Sequence, residues 1–264
     1  MPLAVVIAGA AGKMGRRLVA LAAADPELRL AGAFELSGSE FLGQDAGELA
    51  GVGRLDLPLA AAPPKQADVL LEFTTPEGTR RIAELAAARG MALVSGTTGL
   101  GPAEEQALDA AARQVPVLWA PNTSTGVNVL AALVAEATRL LGPGWEVEIV
   151  EAHHDRKADA PSGTALGLAE TVAAARGQQL EQVRVDGRKG RTGPRPPEEI
   201  GLHALRMGAL VGEHTVYFAG GEEVLLLGHR AGSRDAFAAG ALRAAKWLAG
   251  RKPGRYTMRQ ALGL

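Results

Sequence analysis

Residues 3–15 read LAVVIAGAAGKMG, and the fold follows from how this stretch divides. Leu3 to Ala8 form an apolar run with no polar break, closed by Gly9. A short run of that kind predicts a strand buried on both faces. From Lys13 the apolar residues return at helical spacing, as Met14, Leu18 and Leu21, which predicts a helix over Lys13–Ala24. A second strand is predicted at Arg29–Glu35, so the chain opens as a βαβ unit. The link between strand and helix is Gly9-Ala10-Ala11-Gly12-Lys13-Met14-Gly15, a G-x-x-G-x-x-G spacing. Glycines there permit a tight turn and a close backbone approach to a pyrophosphate, and the helix start adds amide donors and partial positive charge. A glycine-rich turn needs no ligand by itself. Glu35 strengthens the dinucleotide reading, because a carboxylate about 20 residues beyond the turn, at the end of the second strand, suits the adenosine ribose hydroxyls.

The alternation continues outward from this unit. Leu36 to Ala62 reads mostly as loop. Strands are predicted at Asp68–Phe73, Met91–Ser95 and Val115–Ala120, with helices at Pro76–Arg89 and Pro102–Arg113. Alternating β and α elements predict a Rossmann-like, doubly wound parallel sheet. Its strand ends carry Phe73-Thr74-Thr75, Gly96-Thr97-Thr98-Gly99 and Ala120-Pro121-Asn122-Thr123, where ligands of open parallel sheets bind. The last of these stands at the expected domain junction, where the nicotinamide end of a cofactor should meet substrate. Beyond Asn122 the pattern changes. A helix at Val127–Leu141 and another at Ser162–Ala175 accompany strands at Glu146–Glu151, Ile200–Arg206, Glu213–Phe218 and Glu223–Gly228. Few helices among several strands predict a second, α+β domain with a mixed open sheet. Periodicity leaves open where the last helix, Arg234–Ala249, packs.

Composition narrows the function. With 47% hydrophobic and 22% charged residues in 264, the chain can bury a sizeable core. A net charge of -1 gives no global attraction to nucleic acid or an anionic membrane. The absence of cysteine removes disulfides, thiolate nucleophiles and cysteine-ligated metals together. The opening lacks a basic stretch and a cleavage site, and no apolar run reaches the roughly 20 residues that span a bilayer, so a cytoplasmic protein is expected.

Titratable groups concentrate in Glu151-Ala152-His153-His154-Asp155-Arg156-Lys157. Histidine is the natural proton donor near neutral pH, and a lysine beside an anionic substrate serves as acid or anchor. Both histidines can face one cleft only if the strand has ended before them. A metal held by the pair with Asp155 or Asp159 is disfavoured, because adjacent histidines seldom bind one ion well, so no metal is expected. A solvated polar loop is the plain alternative. Asp159-Ala160-Pro161-Ser162-Gly163-Thr164 then opens a helix. Pro and Ser suit a simple cap, yet the Ser-Gly-Thr turn also presents amides and a hydroxyl to a carboxylate. Arg184, Arg188, Lys189, Arg191 and Arg195 fall in a Gly/Pro loop read as solvated, or else as a lid that gathers anions.

At this point the sequence resembles a known family. EAHHDRKADAPSGTA closely resembles the signature of the 4-hydroxy-tetrahydrodipicolinate (dihydrodipicolinate) reductases of lysine and diaminopimelate biosynthesis. AVVIAGAAGKMG, EFTTPEGT, SGTTGL, APNTSTGVNVL, GEHTVYF and SRDAFAAGALRAAKWL are similar to further family segments. The resemblance implies NADH- or NADPH-dependent reduction of a cyclic imine to tetrahydrodipicolinate with loss of water. It implies His153 as the acid/base histidine and Lys157 as the proton-donating lysine, with His154, Ser162, Gly163 and Thr164 at a substrate carboxylate. It implies cofactor contacts at Gly9, Ala10, Ala11, Gly12, Lys13, Met14, Glu35, Phe73, Gly96, Thr97, Thr98, Ala120, Pro121, Asn122 and Thr123. It returns the last helix to the cofactor domain, giving residues 1–123 with 232–264 as the dinucleotide-binding domain and 124–231 as the substrate-binding and oligomerisation domain. A homotetramer built on the second sheet is implied as well.

Two positions depart from the family pattern. Many members follow the acidic ribose residue with an arginine for the 2′-phosphate of NADPH, but Leu36 follows Glu35 here. NADH is therefore expected to serve at least as well, with Lys13 still able to meet a phosphate. Thr123 stands where an aromatic residue is common. The rival readings are another two-domain dehydrogenase, acting on an amino acid, and a dinucleotide-sensing regulator that has lost catalysis. The second has no use for His153 with Lys157.

Overall fold

The structure is a computed structural model that describes residues 1–264. The chain forms two compact units, residues 1–125 with 234–264 and residues 126–233. In the first unit the chain forms β1 (Leu3–Ala8), α1 (Lys13–Ala24), β2 (Leu28–Phe34), α2 (Ala46–Ala50), β3 (Val69–Glu72) and α3 (Pro76–Arg89). It continues with β4 (Ala92–Ser95), α4 (Pro102–Ala112) and β5 (Pro116–Trp119). After the second unit it returns with α8 (Asp235–Leu248), β11 (Gly254–Tyr256) and α9 (Met258–Leu262).

These six strands pair in parallel, in the order β11-β5-β4-β3-β1-β2. Their residues alternate between two cores, as the period-2 geometry of a strand requires. Val5, Ile7, Val69, Leu71 and Val94 pack with Leu18 and Val19 of α1 and with Ala241, Ala245 and Leu248 of α8. Val6, Ala8, Leu70 and Leu93 pack with Ile82 and Ala86 of α3 and with Leu108 and Ala112 of α4. The inner strands β1, β3 and β4 are thus covered on both sides, which is why the sequence shows apolar runs there. The strand order reverses between β1 and β3, and a crevice for ligands opens outside the carboxyl ends of strands at such a point. The small-residue face of α8 settles its placement, since it packs in this unit beside α1.

The region expected to be loop, 36–62, contains α2. Its organiser is Asp45, which caps the helix by accepting from the amides of Gly47 (2.9 Å) and Glu48 (3.1 Å) and also accepts from Leu55 (3.0 Å) and Leu57 (2.8 Å). One carboxylate with four amide donors gives structure to a segment with too few apolar residues to show a period.

The second unit holds α5 (Thr125–Leu141), β6 (Glu146–His153), α6 (Gly163–Ala175), α7 (Leu180–Val183) and β7 (Arg184–Asp186). It closes with β8 (Ile200–Arg206), β9 (Glu213–Gly220) and β10 (Glu223–Arg230). The sheet order is β10-β9-β6-β8-β7. β8 lies parallel to β6 and β7, whereas β9 is antiparallel to β6 and β10, so the sheet is mixed. Leu130 and Val134 of α5 and Leu168 and Val172 of α6 cover one face, on Val147, Ile149, Ile200, Leu202, Val216 and Phe218. The opposite face is open, and Leu205, Val224 and Leu226 are exposed.

The basic run from Arg184 to Arg195 is not a freely solvated loop. It begins as β7, and Arg188 bonds Glu148 (2.8 Å) and Glu199 (3.0 Å) while Arg195 also reaches Glu148 (2.9 Å). Burial alone would raise the Glu148 carboxyl, but Arg188, His203 and Arg195 outweigh it and hold the pKa down to about 2.

Candidate active site

The in-register columns of the second sheet explain how its polar cluster arises. Along β6, Val147, Ile149, Glu151 and His153 share one face. Ile200, Leu202, Ala204 and Arg206 of β8 stand beside them in register, as do Phe218, Val216 and His214 of β9. The first rows are apolar and pack on α6. The same columns then change to Glu151, His153, Arg206 and His214 at the end of the sheet where α6 begins.

Glu151 is buried and holds several partners. Its carboxylate faces His153 Nδ1 at 2.5 Å, accepts the Ser162 amide at 3.0 Å, and receives a two-nitrogen fork from Arg206 at 2.9 and 2.8 Å. Burial would raise its pKa, but Arg206 and His153 outweigh that and keep it lowered. Burial also lowers the pKa of His153, against the opposing pull of Glu151. His214 lies edge-on to His153, with ring centroids 5.2 Å apart, and burial drives its pKa down to about 4. It is therefore a neutral ring at pH 7.

The strand does not end where the sequence pattern places its end. β6 runs through His153, which pairs with Arg206, and the Met207 amide extends the ladder to the His153 carbonyl at 2.9 Å. His153 is consequently the last strand residue and His154 the first beyond it. The His154 amide donates to Leu210 O at 2.9 Å, and its ring Nδ1 is buried with no hydrogen-bond partner. Lys157 Nζ is held by both oxygens of Asp159, at 2.8 and 2.7 Å. That pairing lowers the Asp159 pKa. No group of three or more His, Asp or Glu side chains is arranged to hold a metal.

Ser162 is the N-cap of α6. Its hydroxyl accepts from Ala165 N (3.2 Å) and meets His214 Nε2 (3.0 Å), so it is turned inward and only 2% exposed. Gly163 is exposed and Thr164 half-buried at the helix start.

In the first unit, Gly9 has a φ of 66°, and a Cβ there would come within 2.9 Å of Thr74 Cγ2, so the β1 turn lies against the end of β3. Gly12 caps α1 without a side-chain hydrogen bond, which leaves the first-turn amides uncapped by protein. This is the form of a helix start that receives an anion. Glu35 reaches the turn and accepts the Ala11 amide at 2.8 Å. The residues named for a dinucleotide thus fit one: an uncapped amide cradle, no side chain at Gly12, and a carboxylate beside it. Arg16 is folded under the turn, with Nε on Ala11 O at 2.7 Å and its guanidinium over the Phe41 ring.

Some expected side chains face elsewhere. The Thr97 hydroxyl donates to Glu72 (2.7 Å) and accepts from Thr74 N (2.9 Å), and the Thr123 hydroxyl donates to Phe237 O (2.7 Å). The Phe73 ring packs against Gly96, where a Cβ would overlap it. Thr98 and Pro121 are exposed, Asn122 is half-buried and Ala120 is buried. Glu72 was missed in the sequence. It is wholly buried and accepts from the hydroxyls of Thr74, Thr79, Ser95 and Thr97, tying the ends of β3 and β4 together. A lone acid closing an apolar strand, followed by threonines, is the signal that could have found it.

A dinucleotide cradle at the crevice of a doubly wound sheet, with a cluster of titratable side chains in a separate unit, defines a pyridine-nucleotide-dependent oxidoreductase. The comparisons with known proteins narrow the class. Residues 3–123 match the family model described as dihydrodipicolinate reductase, N-terminus, and residues 126–262 match its C-terminus. The 4-hydroxy-tetrahydrodipicolinate reductase of Alkalilimnicola ehrlichii is 50% identical over 267 residues, covering 100% of both chains. That of Rubrobacter xylanophilus is 51% identical over 259 residues, covering 98% of this chain and 97% of its own. The chain belongs to the dihydrodipicolinate reductase family. Among solved structures, a dipicolinate-bound dihydrodipicolinate reductase from Paenisporosarcina sp. TG-14 shares the fold, with a TM-score of 0.75 and 23% identity over 97% of this chain and 98% of that one.

Proposed function

We propose that His153 and Lys157 handle the protons, and that His154 with Gly163 and Thr164 receives a substrate carboxylate, in the reaction this chain performs. That reaction is the NADH- or NADPH-dependent reduction of 4-hydroxy-tetrahydrodipicolinate to tetrahydrodipicolinate, with loss of water, in lysine and diaminopimelate biosynthesis. The observation that carries the residue assignment is the packing of His153 and an anion-accepting helix start around one buried carboxylate. The nicotinamide, when bound, supplies hydride to an electron-poor ring carbon. A positioned acid then delivers the proton the ring must gain. Lys157 is held by Asp159, and an incoming carboxylate of the substrate would compete for the same ammonium. Ser162 keeps the turn in place, and its neighbours' amides face the anion.

The cofactor sits in this reading on the Gly9–Met14 turn. Lys13 and Met14 offer amides to the pyrophosphate, and Glu35 faces the ribose hydroxyls. The strand-end segments Gly96–Thr98 and Ala120–Thr123 serve the remainder, with Thr98 and Pro121 exposed, while the Thr97 and Thr123 hydroxyls stay with Glu72 and Phe237. With Leu36 exposed beside Glu35, we expect kcat/KM with NADH to equal or exceed that with NADPH. Steady-state comparison of the two cofactors checks this, and a strong NADPH preference contradicts it.

The exposed Leu205, Val224 and Leu226 support a homotetramer that covers the open face of the second sheet, in a cytoplasmic enzyme. Light scattering of Leu226→Glu should then show a smaller species than wild type, and an unchanged mass removes the proposal. No helix is long and apolar enough to cross a membrane. The substrate assignment is tested by adding freshly made 4-hydroxy-tetrahydrodipicolinate with NADH, or an amino acid with NAD+, and following nicotinamide absorbance. Oxidation of NADH with the first only is expected. Turnover with an amino acid alone would favour the amino-acid dehydrogenase reading.

A further inference from the structure

The Glu151 position is in phase with Val147 and Ile149, so an apolar residue there would extend the core. Exchanging a buried ion pair for packed apolar side chains is often neutral or stabilising. Stability therefore gives no strong reason for a carboxylate at this place. Its partners suggest another. One oxygen faces the ring of His153 and the other accepts the amide that starts α6, while Arg206 binds both.

We propose that Glu151 is the positioning residue that orients the proton-donating ring of His153 and the anion-accepting turn at Ser162 as one piece, with Arg206 as its counter-ion. The proposal rests on the reading of His153 as a proton donor. A carboxylate at Nδ1 requires a proton on that nitrogen, so the neutral ring keeps Nε2 for the substrate side. Gly212 is placed to leave Nε2 open, because a Cβ there would approach it to 3.0 Å. The charged and titratable groups facing His153 come from several elements: Glu151 on its own strand, Arg206 on β8, His214 on β9 and Lys157 in the following turn. His229 of β10 faces His214 behind them. Glu151 favours the protonated ring, whereas burial, Lys157 and Arg206 disfavour it.

The two partners of this pair should consequently move the histidine in opposite directions. If protonated His153 is the working form, kcat/KM falls as pH rises through its pKa. Glu151→Gln should shift that alkaline limb to lower pH and reduce kcat by about 10²- to 10⁴-fold. Arg206→Gln should shift the limb to higher pH. Loss of structure alone lowers the rate without moving the limb in opposite directions. Limbs that stay in place, or move the same way, overturn the positioning role. His153→Gln separates this from the underlying reading: a limb that survives without His153 refutes the proton-donor assignment itself. Nitrogen-15 spectroscopy of the wild-type ring needs no variant to fold. Above its pKa the neutral His153 ring is expected to keep its proton on Nδ1, and one with its proton on Nε2 overturns the proposal.

Discussion

His153→Ala is expected to lower kcat for 4-hydroxy-tetrahydrodipicolinate by about 10²- to 10⁴-fold, the usual contribution of a positioned acid or base. KM for NADH should stay near its wild-type value, because the residues proposed for the cofactor belong to the other unit. The variant leaves Glu151 with Arg206 and the Ser162 amide, so the buried carboxylate keeps charge-assisted partners and the fold should survive. Lys157→Ala should act in the same direction. It also frees Asp159 from its ammonium, placing an unpaired negative charge near the expected position of a dianionic substrate, so KM for the substrate should rise as well. Steady-state kinetics with each reactant varied separates the two effects. A His153→Ala enzyme with wild-type kcat would remove the acid–base assignment.

Gly15→Ala should have the second large effect, and on the other unit. A Cβ at Gly15 would overlap the Gly9 carbonyl oxygen and stand 2.6 Å from the Ala10 Cα. Both atoms are backbone in the tight turn, so neither can rotate away. Relief requires α1 to move from β1, which breaks the packing of Leu18 and Val19 against the sheet. Overpacking of this kind costs about 1–3 kcal/mol, and the shift also displaces the amides of Lys13 and Met14 from the pyrophosphate. The expected outcome is at least roughly tenfold weaker NADH binding, equivalent to about 1.4 kcal/mol, with a lowered melting temperature. Calorimetric titration and thermal unfolding measure the two. Unchanged NADH affinity in a folded Gly15→Ala protein would show that this turn does not hold the cofactor.

The sheet of the first unit was readable because β1, β3, β4 and β5 are covered on both faces, so their sequences are apolar except where Glu72 and Ser95 close β3 and β4. Short elements were not. β7 and β11 have three residues each, too few for a pattern, and α2 is set by the Asp45 carboxylate rather than by an apolar face. In the second unit the alternation of β6 was visible, yet its end was misplaced, because Glu151 and His153 continue the buried phase as polar residues. The same phase rule finds Arg206 after Ile200 and Leu202, and His214 before Val216 and Phe218. Sequence alone could not tell that the hydroxyls of Ser162, Thr97 and Thr123 turn inward, since their partners are His214, Glu72 and Phe237, distant in the chain. The basic run was misread for a similar reason: Glu148, which collects Arg188 and Arg195, lies some forty residues earlier.

The central claim is that this chain reduces the dicarboxylate with its proton chemistry at the end of β6. The most direct test follows NADH oxidation on addition of freshly made 4-hydroxy-tetrahydrodipicolinate to wild type and to a His153→Ala, Lys157→Ala double variant. Rapid oxidation by wild type, with oxidation by a folded double variant reduced at least about 10²-fold, is the predicted result. No oxidation by wild type, or undiminished oxidation by the double variant, would contradict it.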